Sequence, residues 1–268
     1  MKKVSVIKVL SISLFFISVG YLIYNMWESY LNDMKVERLI SAIETSKEEE
    51  AEAVSDVNSI NSSISSPPSS KHILPHYEAL LDQNPDLAGW IQIENTVINY
   101  PVMQTPENEE YYLDRDFNKR KSKYGELFLD AQCNPTEPAS NLMIYGHNMK
   151  DGKMFGALKE YKSKEYYQEH PYIQFSNLYE EGNYQIIAVF LSQIYKTSDK
   201  VFKYYKFTGT ATQAEFDEFI MNIKALSLYD TGYTAEYGDQ LITLSTCDYS
   251  TENGRLVVVG KKIENKVR

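Results

Sequence analysis

Cysteine is nearly missing from this chain of 268 residues, which carries 2 of them. Two thiols, Cys133 and Cys247, cannot build a disulfide framework or a four-thiolate zinc site. They leave open a single bridge or a single reactive thiol. Basic charge is in deficit: 27 Lys and Arg against 37 Asp and Glu give a net charge of −10, which repels a phosphate backbone and excludes nucleic acid as a partner. Glycine and proline are modest at 12 and 9, and 43% of residues are hydrophobic, so a wholly disordered chain is excluded as well. No internal repeat of useful length is present. Aromatic residues are abundant, with 22 Tyr and 11 Phe, and such side chains suit a pleated, half-buried surface.

Charge is absent from Val9 to Trp27. At helical rise, residues 9–27 are just long enough to cross the hydrocarbon of a bilayer. Lys2, Lys3 and Lys8 precede the run and Glu28 and Asp33 follow it, so the positive-inside rule puts residues 1–8 in the cytoplasm and everything after the span outside. A cleaved signal peptide is the rival reading, since Ser18 and Gly20 offer a small-x-small site. Against it, the apolar run continues past that site and ends on Tyr21, Tyr24 and Trp27, as an uncleaved signal anchor does. Within residues 28–71, Leu31, Met34, Val36, Leu39, Ile40 and Ile43 fall at helical spacing and predict a short amphipathic helix over about 29–44. From Thr45 to Lys71 the chain is acidic and then Ser-rich around Pro67-Pro68, which reads as a flexible stalk. A folded domain is expected over 72–268.

In that domain His76 to Gln83 predicts a helix stopped by Asn84-Pro85. Short β-branched or aromatic runs follow at 89–93, 97–101, 126–130, 142–146, 172–175, 184–194, 241–246 and 256–262, separated by Pro, Asn and Gly. Eight such runs point to a mainly β fold, a closed barrel or a sandwich. Helices are expected near Met154–Tyr161 and, more clearly, at Thr212–Leu226, where Phe216, Phe219, Ile220 and Ile223 share a face and Thr212 with Glu215 forms a capping box.

Three distant residues could do chemistry together. Cys247 ends the apolar run Leu241–Thr246, so its sulfur can emerge at a rim while the strand anchors it. His147 follows another apolar run, just after Gly146. Arg255 opens the run that returns after Cys247 through the loop 248–254. Taken singly, each has an ordinary reading: a small core hydrophobe, a solvated loop histidine, a solubilising charge. His72, His76 and His170 lie in stalk, helix and turn contexts that do not single them out. Taken together the three fit thiol chemistry. The nucleophile is the thiolate, and an ordinary thiol with a pKa of about 8.5 is only slightly ionised at neutral pH, so a nearby cation helps. A histidine can pass a proton to a departing amine, and a guanidinium can donate to the oxyanion formed when a carbonyl is attacked.

On these residues the sequence resembles the sortases, and more narrowly class B. The matching strings are Thr243-Leu244-Ser245-Thr246-Cys247 with Arg255 downstream, and Tyr145-Gly146-His147-Asn148-Met149 followed by Met154-Phe155. Gly89-Trp90-Ile91-Gln92-Ile93, Asn99-Tyr100-Pro101-Val102, Tyr111-Tyr112-Leu113 and Gly125-Glu126-Leu127-Phe128-Leu129-Asp130 also read like that family, and the resemblance spans nearly all of 76–263. It implies an eight-stranded sortase-type β-barrel with N-terminal helices and a helix inserted between strands 6 and 7, held on the cell membrane of a Gram-positive bacterium by a single pass. It further implies a cysteine transpeptidase that cleaves a C-terminal sorting signal after Thr, through a thioacyl intermediate, and joins the secreted protein to a peptidoglycan amine. Cys247 would be the nucleophile, His147 the acid and base, and Arg255 the oxyanion donor. Softer implications are substrate contacts at Ser245, Thr246 and Tyr195, the last opening a loop, 195–207, that matches the wall of the peptide groove. Neither a metal nor an organic cofactor is implied. Cys133 inherits no role, and both thiols are expected free. The competing readings are a papain-like cysteine hydrolase, whose cysteine would open a helix, and a non-catalytic wall-binding barrel.

Overall fold

The computed structural model describes residues 2–57, 72–137 and 140–264. A single long helix, α1 (Lys2–Val57), leads into α2 (Pro75–Gln83). The strands are β1 (Leu87–Gln92), β2 (Asn99–Met103), β3 (Leu127–Leu129), β4 (Ser140–Tyr145), β5 (Tyr172–Asn177), β6 (Asn183–Gln193), β7 (Gly209–Thr210), β8 (Leu241–Cys247) and β9 (Gly254–Ile263). The sheet order is β3-β2-β1-β5-β6-β9-β8-β4-β7, and an additional β3–β4 pairing closes eight of these strands into a ring. Each of the eight runs expected from sequence corresponds to one strand of that ring. The two-residue β7, which pairs with β4, was not expected.

Two neighbour pairs in the ring are parallel, β2–β3 and β4–β8, and the rest are antiparallel. A parallel pair needs a long return path. The return from β4 to β8 carries β5, β6 and both remaining helices, α3 (Lys164–Glu169) and α4 (Gln213–Leu226). Helix α4 therefore falls between the sixth and seventh strands of the ring. Its capping box is formed: Thr212 Oγ1 accepts from Glu215 N at 3.4 Å and Glu215 Oε2 accepts from Thr212 N at 2.8 Å. Phe216, Phe219 and Ile223 turn into the core, where the Phe207 and Phe219 rings stack at 4.1 Å. The helix expected near Met154–Tyr161 is a 3-10 turn, Gly156–Lys162, followed by α3.

The core divides in two. One cluster fills the ring with β-branched and aromatic side chains such as Ile91, Val102, Ile144, Phe175, Val257 and Val259. A second lies outside it, where Leu39 and Ile43 of α1 cover Tyr77, Leu80, Leu87 and Trp90. This corrects two expectations. The first part of the segment expected as a stalk is helical, because α1 runs to Val57; Glu48-Glu49-Glu50-Ala51-Glu52 is a run of strong helix formers, so its charge does not unwind it. The remainder of the expected stalk, residues 58–71, lies outside the described residues. The folded unit also extends upstream of residue 72, since part of α1 packs in it. α1 is the one helix among the described residues that is long and apolar enough to cross a membrane, and nearly all of its apolar side chains from Leu10 to Trp27 are exposed.

Candidate active site

Cys247 and Arg255 lie on the adjacent strands β8 and β9, and His147 follows two residues after the end of β4, the strand on the other side of β8. In the β8–β9 ladder Cys247 is the direct partner of Arg255, and side chains opposite one another across an antiparallel pair share a face. In the parallel β4–β8 ladder Tyr145 is level with Ser245, so the next two residues of each chain run side by side and bring His147 level with Cys247. Three bonds hold this extension. Gly146 N donates to Ser245 O at 3.2 Å, Thr246 Oγ1 to Gly146 O at 2.8 Å, and Asn148 Nδ2 to Cys247 O at 2.7 Å. Gly146 is required here: a Cβ would stand 2.3 Å from Leu127 Cδ2 and 2.8 Å from Phe155 Cδ2. His147 thus leaves the sheet at a point where the backbone is pressed against the core.

The His147 imidazole is partly exposed, and its Nε2 lies 2.7 Å from Leu113 O. A carbonyl only accepts, so Nε2 carries the hydrogen and Nδ1 is left as the nitrogen that gains or loses a proton. Cys247 is a free thiol of intermediate exposure, whereas the other free thiol, Cys133, is buried. Burial pushes the Cys133 thiol up to about 11, which keeps it protonated and unreactive. Arg255 Nη1 donates to Gly254 O at 2.9 Å and to Asn253 O at 3.3 Å, which folds the guanidinium over its own turn.

Ser245 and Thr246 are buried, with relative exposures of 1% and 2%. The Ser245 hydroxyl is 2.8 Å from Tyr204 OH, and Thr246 bonds Gly146, so both hydroxyls serve the interior and neither faces solvent. Of the 195–207 loop it is Tyr204 that meets Ser245, while Thr246 is engaged by the segment after β4. Tyr195 is partly exposed at the start of that loop, where its N–H donates to Tyr205 OH at 3.0 Å. Burial pushes the Tyr204 hydroxyl up to about 12, against the pull of its bond to Ser245 and of the nearby Arg255 charge.

Several contributors were not read from sequence. Leu113 acts through a main-chain carbonyl, which no residue type announces. Asn148 was in the quoted string, but its bond to Cys247 depends on parallel pairing. Asp248, next to the thiol, has a relative exposure of 7% and pairs with Lys162 and Ser250. Burial alone would raise its carboxyl, but the bonds from Lys162 and Ser250 outweigh burial and hold it below the usual carboxylate range. Among the described residues no group of three or more His, Cys, Asp and Glu is placed to hold a metal ion.

The match of residues 91–263 to the sortase-domain family model covers most of the chain and includes all three residues. The chain belongs to the sortase family. Its relatives are class B: it is 34% identical over 196 residues to sortase B of Staphylococcus aureus, covering 72% of this chain and 77% of that one. It is 36% identical over 184 residues to sortase B of Listeria monocytogenes, covering 67% and 71%. Among solved structures, a Staphylococcus aureus sortase B–substrate complex superposes with a TM-score of 0.64 at 30% identity, over 72% of this chain and 86% of that one. This sortase is accordingly a cysteine transpeptidase of the sortase B-like fold, with an N-terminal apolar helix that fits membrane anchoring.

Proposed function

We propose that this sortase cleaves a C-terminal sorting signal after Thr and transfers the acyl group to a peptidoglycan amine, with Cys247 as nucleophile, His147 as acid and base, and Arg255 as oxyanion donor. The observation that carries this reading is that Arg255 is the direct cross-strand partner of Cys247, while His147 follows β4, the strand on the other side of β8, in a segment that bonds to β8 through Gly146 and Asn148. The thiolate adds to the threonine carbonyl, and the oxygen that becomes negative takes hydrogen bonds from the Arg255 guanidinium. His147, protonated at Nδ1 as well as Nε2, gives the Nδ1 proton to the departing amine as the C–N bond breaks, leaving a thioacyl enzyme. An incoming amine then adds to the same carbonyl, passes a proton back to Nδ1, and expels the thiolate as the new amide forms. Each round returns both groups to their starting protonation, so no cofactor is consumed.

The same reading puts residues 1–8 inside the cell and the catalytic domain outside, where secreted proteins and wall precursors meet. A papain-like hydrolase is disfavoured because Cys247 ends a strand rather than opening a helix. The deciding experiment incubates the protein with Asn-Pro-x-Thr and Ser-Pro-x-Thr peptides, with and without triglycine, and follows products and the Cys247 adduct by mass spectrometry. A thioacyl adduct that triglycine converts to a ligated peptide is expected, and none with Cys247→Ala. Hydrolysis indifferent to triglycine would overturn transpeptidation.

A further inference from the structure

The loop that begins at His147 is pinned at its tip to the anchor helix. Its base is closed by a bond from Phe155 N to His147 O at 3.0 Å and by a bridge between Asn148 and Met154. Its tip turns through Gly152 N to Met149 O at 3.0 Å, and Gly156 packs so near the Met149 main chain that a Cβ there would lie 2.4 Å from Met149 O. A loop closed in this way shifts as a unit, so a restraint at the tip is felt at His147.

Lys153 supplies that restraint. Its side chain has a relative exposure of 15%, and its ammonium bonds Ser29 O at 2.9 Å, Ser29 Oγ at 2.6 Å and the Asp33 carboxylate. Those three acceptors satisfy the three N–H groups of a lysine. The Tyr124 ring lies beside the ammonium, 5.6 Å to its centroid, and Tyr124 OH donates to Asp151 Oδ2 at 2.8 Å on the same loop. Ser29 Oγ also reaches Asp151 Oδ2 at 3.4 Å, and Lys123 Nζ reaches Asn25 Oδ1 at 3.0 Å. Every partner on α1 falls near the end of the charge-free run that closes at Trp27. Asp33 is six residues beyond it, roughly 9 Å at helical rise.

We propose that Lys153 is a positioning residue that clamps the His147 loop onto α1, so that the imidazole keeps its place beside Cys247 only while the anchor helix is docked. The proposal rests on His147 being the acid and base of the transfer. It makes the helix part of the catalytic apparatus rather than a tether, because the residues that leave the membrane are the ones that hold the loop.

The test uses the full chain in proteoliposomes, with an Asn-Pro-x-Thr peptide and triglycine, and compares Lys153→Met, Lys153→Arg, Asp33→Asn and the Lys153→Met/Asp33→Asn double variant. Lys153→Met is expected to lower kcat about tenfold with KM unchanged, as a displaced catalytic group does, and to move the histidine limb of the kcat–pH profile. Hydrogen exchange should rise at the amides of 148–156 and not elsewhere, and iodoacetamide should alkylate Cys247 at the wild-type rate. Lys153→Arg should restore most of the rate, and Asp33→Asn should add little to Lys153→Met. Wild-type kcat and exchange in Lys153→Met would overturn the proposal, as would a loss accompanied by faster exchange over the whole domain. If no variant and no wild-type sample turns over peptide, the activity reading has failed instead. The exchange at 148–156 and its non-additivity between Lys153 and Asp33 then decide the clamp by themselves.

Discussion

Arg255 stands directly across the β8–β9 ladder from Cys247. Its guanidinium is tied through Nη1 to Asn253 O and Gly254 O, and no other Arg255 donor has a hydrogen-bond partner among the described residues, so those donors remain for an oxyanion at the sulfur.

Replacing Arg255 with Lys keeps the charge and removes the planar donor set. The expected loss in kcat is about 10²–10³-fold, the usual consequence of deleting an oxyanion donor, with little change in Tm because the side chain is partly exposed. Steady-state kinetics on the Asn-Pro-x-Thr peptide measures it. A rate within an order of magnitude of wild type would remove Arg255 from that role.

Asn148→Ala deletes the bond from Nδ2 to Cys247 O, which ties the loop after β4 to the end of β8. A single partly buried hydrogen bond is worth about 0.5–1.5 kcal/mol, so the variant should lose a few degrees of Tm. Kinetically it should lower kcat more than it raises KM, since the thiol is displaced relative to His147 rather than removed. An unchanged kcat would mean that β8 fixes Cys247 without help from the neighbouring strand.

The eight ring strands were legible because each is a short β-branched or aromatic run bounded by Pro, Asn or Gly. Cys247, His147 and Arg255 could be singled out from residue types and from the strings around Cys247 and His147, and the fold shows only how their strands and loops are paired. What stayed hidden depends on pairing. Ser245 and Thr246 alternate along a strand in sequence, yet both are buried, because β8 sits between β4 and β9 and is covered on both faces. Leu113 acts through a carbonyl that any residue would provide. The docking of α1 was concealed by its own composition: Leu39 and Ile43 read as part of an isolated amphipathic helix, and only the fold reveals Trp90 and Leu80 beneath them.

Glu126 should give the domain a pH-dependent stability that has nothing to do with catalysis. Burial raises its carboxyl from an ordinary 4.5 to about 8, against the pull of its bond from Phe117 N. Between those values the folded protein holds a proton that the unfolded chain has released, so this contribution is intact below the lower value and is lost as pH rises toward the upper one. Glu126→Gln keeps an oxygen for Phe117 N, which Glu126 Oε1 accepts at 2.9 Å, and removes the ionisation. Wild type and variant should melt alike near pH 4.5 and diverge by pH 8, with the variant more stable by up to a few kcal/mol at about 1.4 per pH unit. Parallel Tm curves from acid to neutral pH would show that Glu126 ionises normally in the fold.

The N-terminal boundary of the folded unit is the remaining point on which truncation gives a direct answer. Leu39 and Ile43, each 8% exposed, cover Tyr77, Leu80 and Trp90, and Lys35 pairs at 2.7 Å with the buried Asp116. A chain that starts at residue 72 uncovers that apolar surface and leaves Asp116 with only the amides of Asn118 and Arg120. Burying one aliphatic side chain contributes about 1.5–3 kcal/mol, and two of them exceed what a marginal domain can lose without a visible shift. A chain of residues 28–268 should therefore melt roughly 5–10 °C above one of residues 72–268. Leu39→Asp in the longer chain should reproduce most of that difference, because it places a charge against Trp90 and Leu80. Equal melting temperatures for the two chains would mean that α1 does not dock in solution, and the clamp at Lys153 would then have nothing to hold.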